Sequence, residues 1–135
     1  MKYLVDANVL SEPTKPAPAQ QVVAWLRRHE RDMAVDPIIL GEVRFGILRL
    51  HKGRKRAKLE QWFEAGVRRL HCLPWEQETG LRWAELLARL RATGLAMPIK
   101  DSLIAATALV HDLTVVTRDR ADFDKAEVRV IDPFG

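Results

Sequence analysis

Residues 1–16 read MKYLVDANVLSEPTKP, and their apolar run Tyr3, Leu4, Val5 stops on an acid, Asp6, before any turn residue arrives. Consecutive apolar residues without alternation suit a short strand covered on both faces, as in parallel sheets. We place a first strand at residues 2–6. An acid at its carboxyl end stands where the working groups of open α/β sheets gather. Asn8, Ser11 and Glu12 follow at once, and the proline-rich PTKPAPAQ then reads as a polar loop.

Working outward, strands and helices alternate. Val22, Val23 and Leu26 recur at helical spacing with Trp25 beside them, and DMAVD supplies a strand at Met33–Val35. Asp36 is placed to cap the next helix and Pro37 to occupy its first turn, with Leu40, Val43, Ile47 and Leu50 as the buried stripe. After Gly53 comes a helix carrying Leu59, Trp62, Phe63, Val67 and Leu70, a stripe that suits core or a partner-facing surface. LHCLPW at 70–75 is a third short strand, and ETGLRWAELLARLRATG is an amphipathic helix ending at Gly94. MPIKDSLIAATALVHD enters a helix through Pro98; its alanines and near-continuous apolar surface mark it as central and buried. LTVVT at 113–117 and VRVID at 128–132 complete the strands. Strands separated by helices require right-handed crossovers, so the expected fold is a three-layer α/β/α domain with a mostly parallel sheet.

The 135 residues fit one domain, 1–135, with 47% apolar residues including four Trp and four Phe for its core. No apolar run reaches the roughly 20 residues of a membrane span and no secretory signal pattern opens the chain, so the expectation is a cytoplasmic protein without membrane contact. Cys72 is the sole cysteine, which excludes an intramolecular disulfide, a thiolate metal cluster and a redox dithiol, and its expected place is buried. The formal charge of +4 is unevenly spread: HKGRKRAK at 51–58 concentrates it. Polyanions respond to such local basicity.

Four acids stand where packing favours something else: Asp6, Glu42 within ILGEVRFG, Asp101 within PIKDSLIAATA, and Asp119 in VVTRDRADF. Asp36, Asp101 and Asp119 each also suit a helix cap or turn, and Glu42 an exposed position paired with Arg44. Buried carboxylates must be paired, protonated or metal-bound. Several converging acids without His or Cys suit a hard cation, Mg²⁺ or Mn²⁺, and such a site serves hydrolysis of a phosphodiester. No Walker loop, nucleophile elbow or GxGxxG offers another chemistry. The alternative is a nucleic-acid-binding module whose acids are structural.

LVDANVLSEP, ILGEVRFGI, DSLIAATALVHDLTVVTRDRADF and VRVIDPF together resemble the PIN domain, in particular the VapC-type toxin nucleases and their FitB-like relatives. The resemblance spans the chain in order and spacing. It implies a parallel sheet of about five strands, a Mg²⁺- or Mn²⁺-dependent ribonuclease acting on RNA, a homodimer, and control by a cognate antitoxin. It makes Asp6, Glu42 and Asp101 the central acids and Asp119 the fourth, with Asp122 as the competing candidate for that place. Asn8 is implied as the neighbour that orients the first strand's end, and Thr117 as a supporting hydroxyl. An operator-binding complex with the antitoxin is the corresponding non-catalytic alternative. Acids that meet RNA need cations beside them. Arg44, Arg118 and Arg120 adjoin the acids, as do Lys2 and Lys100, while Lys52, Arg54, Lys55 and Arg56 form a longer-range patch.

Overall fold

The protein is described by a computed structural model covering residues 1–135. Five short strands form one parallel sheet in the order β3-β2-β1-β4-β5. They are β1 (Tyr3–Val5), β2 (Met33–Val35), β3 (His71–Cys72), β4 (Thr114–Val116) and β5 (Val130–Ile131). β1 is central: Leu4 is in register with Ala34 on one side and Val115 on the other. Leu4, Val5, Ala34, Val35, Val115 and Val116 have no solvent exposure, which accounts for the unbroken apolar runs that betrayed these strands in the sequence.

Parallel neighbours need crossovers, and seven helices provide them. α1 (Ala7–Leu10) and α2 (Gln20–His29) join β1 to β2, and α3 (Pro37–Leu48) and α4 (Arg54–Ala65) join β2 to β3. α5 (Gln77–Ala92) and α6 (Ile99–His111) join β3 to β4, and α7 (Arg120–Asp124) joins β4 to β5. The right-handed rule puts the first two groups on one face and the last two on the other. The chain turns from one half of the sheet to the other between β1 and β4, so the crevice beyond their carboxyl ends is the topological switch point.

The helix expected across 54–70 breaks at Gly66 and continues as a 3₁₀ turn, Val67–Arg69. α1 and α7 escape a periodicity reading because four or five residues do not complete enough turns to define a face. The terminal strands are shorter than the sequence implied, pairing only where a neighbour runs alongside. LHCLPW contributes just His71–Cys72, since Pro74 has no N–H to extend the ladder. Cys72 corrects an expectation: it is exposed, because β3 is a two-residue edge strand left uncovered on both faces.

Asp36 caps α3 as expected, accepting from Ile39 N at 2.9 Å, and also accepts from Thr107 Oγ1 at 2.7 Å. This fully buried carboxylate therefore ties the end of β2 to α3 and to α6. α6 is indeed central: Ser102, Ile104, Ala105, Ala106, Thr107 and Ala108 are buried, and small side chains let it approach its neighbours closely. At its first turn Ser102 Oγ accepts from Trp83 Nε1 at 2.9 Å, fixing α6 against α5. That bond orients the turn that carries Asp101.

Candidate active site

Asp6 and Thr117 lie one residue past the ends of adjacent strands, and the parallel register of β1 and β4 brings them together. Thr117 Oγ1 donates to Asp6 Oδ2 at 2.8 Å, and Ala7 N donates to Asp6 Oδ1 at 2.8 Å, so Asp6 also caps α1. Asp6 is only 3% exposed. Burial raises its pKa from 3.8 to about 6; the bonds from Thr117 and Ala7 oppose the rise, while the charges of Glu42 and Asp119 add to it.

Asn8, the second residue of α1, stitches the two strand ends together. Its Nδ2 donates to Asp119 Oδ2 at 3.2 Å and reaches Thr117 Oγ1 at 3.4 Å, while its Oδ1 accepts from Arg118 N at 3.1 Å. Thr117 Oγ1 in turn accepts from Asp119 N at 3.0 Å. The VVTRD segment is thus bent around one threonine hydroxyl and one amide, which carries Asp119 to the exposed rim.

Asp101 enters from the first turn of α6, is 5% exposed, and receives no hydrogen bond from any donor in the protein. Its carboxyl is pushed up to about 6, first by burial and then by the charge of Asp6, with Asp119 and Asp122 contributing and Lys100 opposing. Glu42, on α3, sends Oε2 to Lys100 Nζ at 2.6 Å, and its Oε1 is buried without a partner. The mutual influence of these carboxylates places Asp6, Glu42, Asp101 and Asp119 in one electrostatic cluster.

Asp122 stands differently from Asp119. It pairs with Lys125 Nζ at 3.3 Å on α7, whereas Asp119 is held by the neutral amide of Asn8 and belongs to the same hydrogen-bond net as Asp6. The cations also sort themselves. Arg44 does not serve Glu42, because residues two apart on a helix do not face each other; it binds Glu60 at 3.0 Å. Lys100 takes that place, and Glu42 pushes its pKa up. Arg56 is engaged by Glu60 at 3.6 Å and by the Leu50 carbonyl, while Arg120 lies 3.7 Å from Asp124. Lys52, Arg54 and Lys55 are exposed at the start of α4. Arg44 and Arg56, both expected to face RNA, share Glu60 as their ion-pair partner in this structure. A residue the sequence reading passed over is Arg49, at the end of α3, whose signal was its position seven residues after Glu42 on the same helix face.

The residues fit a hard divalent cation. The donors are all carboxylate oxygens, Glu42 Oε1 is an orphaned buried acceptor, and two carboxyls are held well above their ordinary range by burial and like charge. No three acids form a preassembled cage as their side chains stand, and Lys100 supplies the positive charge at Glu42.

The PIN domain model matches residues 3–128. The chain belongs to the PIN-domain family. Among its PIN-domain relatives, "Toxin FitB" of Neisseria gonorrhoeae is 35% identical over 135 residues, covering 97% of each chain. "VapC ribonuclease Y4jK" of Sinorhizobium fredii is 30% identical and covers 97% of this chain and 96% of its own. The crystal structure of FitAcB from Neisseria gonorrhoeae superposes with a TM-score of 0.92 at 34% identity over 98% of both chains. The fold read from the sequence is therefore the PIN fold, with the five-stranded parallel sheet in place.

Proposed function

We propose that this PIN domain is a Mg²⁺- or Mn²⁺-dependent endoribonuclease and the toxin of a toxin–antitoxin pair. The observation that carries this is the cluster of Asp6, Glu42, Asp101 and Asp119 at the switch point between β1 and β4, two of its carboxyls displaced to about 6. The relatives named VapC ribonuclease and Toxin FitB support the reaction class and the toxin role.

Asp6, Glu42 and Asp101 are the residues that would hold the cation, with Asp6 aimed by Thr117 and Ala7 and Asp101 free of competing donors. The bound cation supplies charge that polarises the phosphodiester and acidifies a water. Asp119, exposed at the rim and steered by Asn8, is the carboxylate positioned to accept the attacking water's proton. Hydrolysis breaks one P–O bond and leaves a phosphate monoester and a free hydroxyl. Asn8 and Thr117 position these acids.

An antitoxin has a seat in the apolar groove between α2 and α4, lined by Leu10, Val23, Leu26, Trp62, Val67 and Leu70. The structure of FitAB bound to an IR36 DNA fragment, 34% identical here, supports DNA binding by such a pair. A homodimer completes the proposed assembly, with exposed Leu48 and Ile99 as apolar surface available to a second copy.

The deciding experiment incubates purified protein with single-stranded RNA in Mg²⁺, in Mn²⁺ and in EDTA, beside Asp6→Asn and Asp101→Asn. Cleavage should require the metal and fall at least about 100-fold in either variant, as expected for roughly 3 kcal/mol of lost electrostatic stabilisation. Undiminished cleavage in EDTA, or by Asp6→Asn, overturns the metal assignment. RNA and DNA binding without any cleavage favours the non-catalytic alternative.

A further inference from the structure

Beside the acids opens a cleft of about 440 Å³ whose walls include Asn8 and Glu42 and the cations Lys15, Arg49, Lys100 and Arg118. Two of these charges are already neutralised: Lys15 lies 3.0 Å from Glu12, and Lys100 lies 2.6 Å from Glu42. Arg49 and Arg118 are in no ion pair. Each guanidinium instead rests on an aromatic face, Arg49 5.5 Å above the Phe45 ring and Arg118 4.3 Å above that of Phe134. Stacking holds the plane of a guanidinium while leaving its N–H edge free, the arrangement that suits a phosphate. Arg118 also contributes, after the Ala19 N–H and Lys15, to holding the Glu12 carboxyl below its ordinary value, so its charge is felt across this wall.

The wall supplied by α3 has a regular design. Glu42, Phe45, Gly46 and Arg49 fall at i, i+3, i+4 and i+7, one face of the helix, with about 10 Å of axial rise from acid to arginine. Gly46 sits in the middle of that face. A Cβ there would meet no atom within 4 Å, so packing inside the protein does not demand glycine. Glycine within a helix costs about 1 kcal/mol relative to alanine. With no side chain at Gly46, a chain entering the cleft can approach the helix backbone there.

We infer that Arg49 and Arg118 clamp the phosphate backbone of single-stranded RNA in this cleft, with Gly46 letting the strand lie against α3. The choice of RNA rests on the ribonuclease reading above; the clamp itself rests on the cleft. Arg49, from the end of α3, grips one part of the strand, and Arg118, from the segment after β4, another.

The test is fluorescence anisotropy of a labelled single-stranded RNA oligonucleotide, titrated with the whole protein in EDTA at several KCl concentrations. Arg49→Gln and Arg118→Gln should each weaken binding about tenfold. Each should also flatten the log–log salt slope by about 0.7, and the double variant by about 1.4. Arg49→Lys should keep the wild-type slope. Gly46→Leu should weaken binding at unchanged slope, because it fills the cleft without altering charge. Arg118 packs on Phe134 and its replacement could disturb the fold, so Arg49→Gln, on the exposed end of α3, keeps the test decisive. Wild-type affinity and slope in Arg49→Gln, or a wild type whose RNA binding is insensitive to salt, overturns the clamp. A wild type that binds through these arginines yet cuts no RNA in Mg²⁺ or Mn²⁺ refutes the nuclease reading and leaves the clamp standing. Cleavage by the wild type with unchanged RNA binding in the variants refutes the clamp alone.

Discussion

Replacing Asp6 by Asn should stabilise the metal-free protein even as it removes the proposed chemistry. The Asp6 carboxyl is displaced from 3.8 to about 6, chiefly by burial. A raised carboxyl pKa means that the folded state binds this proton more tightly than the unfolded chain, so ionising the group opposes folding. The penalty is absent below about pH 4, where both states are protonated, grows between about 4 and 6, and is complete above 6. A displacement of about two pH units corresponds to roughly 3 kcal/mol. Asn escapes that penalty, but its amide matches the Thr117 and Ala7 donors less well, which returns about 1 kcal/mol. The net expectation is a gain of roughly 2 kcal/mol at pH 8 in EDTA, or about 7 °C in Tm for a chain of this size. Near pH 4 the gain should vanish or reverse by about 1 kcal/mol. Urea unfolding followed by tryptophan fluorescence at pH 4, 6 and 8 measures this directly. Added Mg²⁺ should raise the wild-type midpoint and leave that of Asp6→Asn nearly unmoved. A variant less stable than wild type at pH 8, or a difference that ignores pH, would refute the claim that burial makes ionising Asp6 costly.

Asp119→Ala should reduce RNA cleavage more than Asp122→Ala, because Asp119 shares the Asn8–Thr117 net while Asp122 is occupied by Lys125; the reverse order in a cleavage assay exchanges their roles. Lys100→Met should cost under about 1 kcal/mol of metal-free stability, the range of a half-exposed ion pair, while isothermal titration shows Mn²⁺ binding severalfold more tightly once Glu42 is released. Weaker Mn²⁺ binding in that variant would mean that Lys100 does not compete with the cation. Thr117→Val keeps the shape but removes a fully buried hydroxyl that donates to Asp6 and accepts from Asp119 N. It should lower stability by about 1–3 kcal/mol in urea unfolding, and an unchanged midpoint would show that the strand ends are held together by other contacts.

The sequence by itself determined the fold because the relevant signals are local. Leu4-Val5 and Val115-Val116 belong to short unbroken apolar runs, which suit strands covered on both faces, and Asp36-Pro37 starts a helix through geometry contained in a few residues. The acids were conspicuous for the same reason: a carboxylate ending a buried strand, or lying in an alanine-rich helix, conflicts with its immediate neighbours. Partnership is another matter. Arg44 lies two residues from Glu42 yet points to Glu60, whereas Lys100, 58 residues away, supplies the bond. Cys72 looked like core and is exposed because its strand is at the edge, a property of sheet order. The distinction between Asp119 and Asp122, and the absence of a carboxylate partner for Arg49, likewise depend on which elements meet. Local sequence specifies backbone and burial through short-range sterics and hydrophobic spacing; charge pairing is decided over a few ångströms in space, and only the tertiary fold sets which distant residues share them.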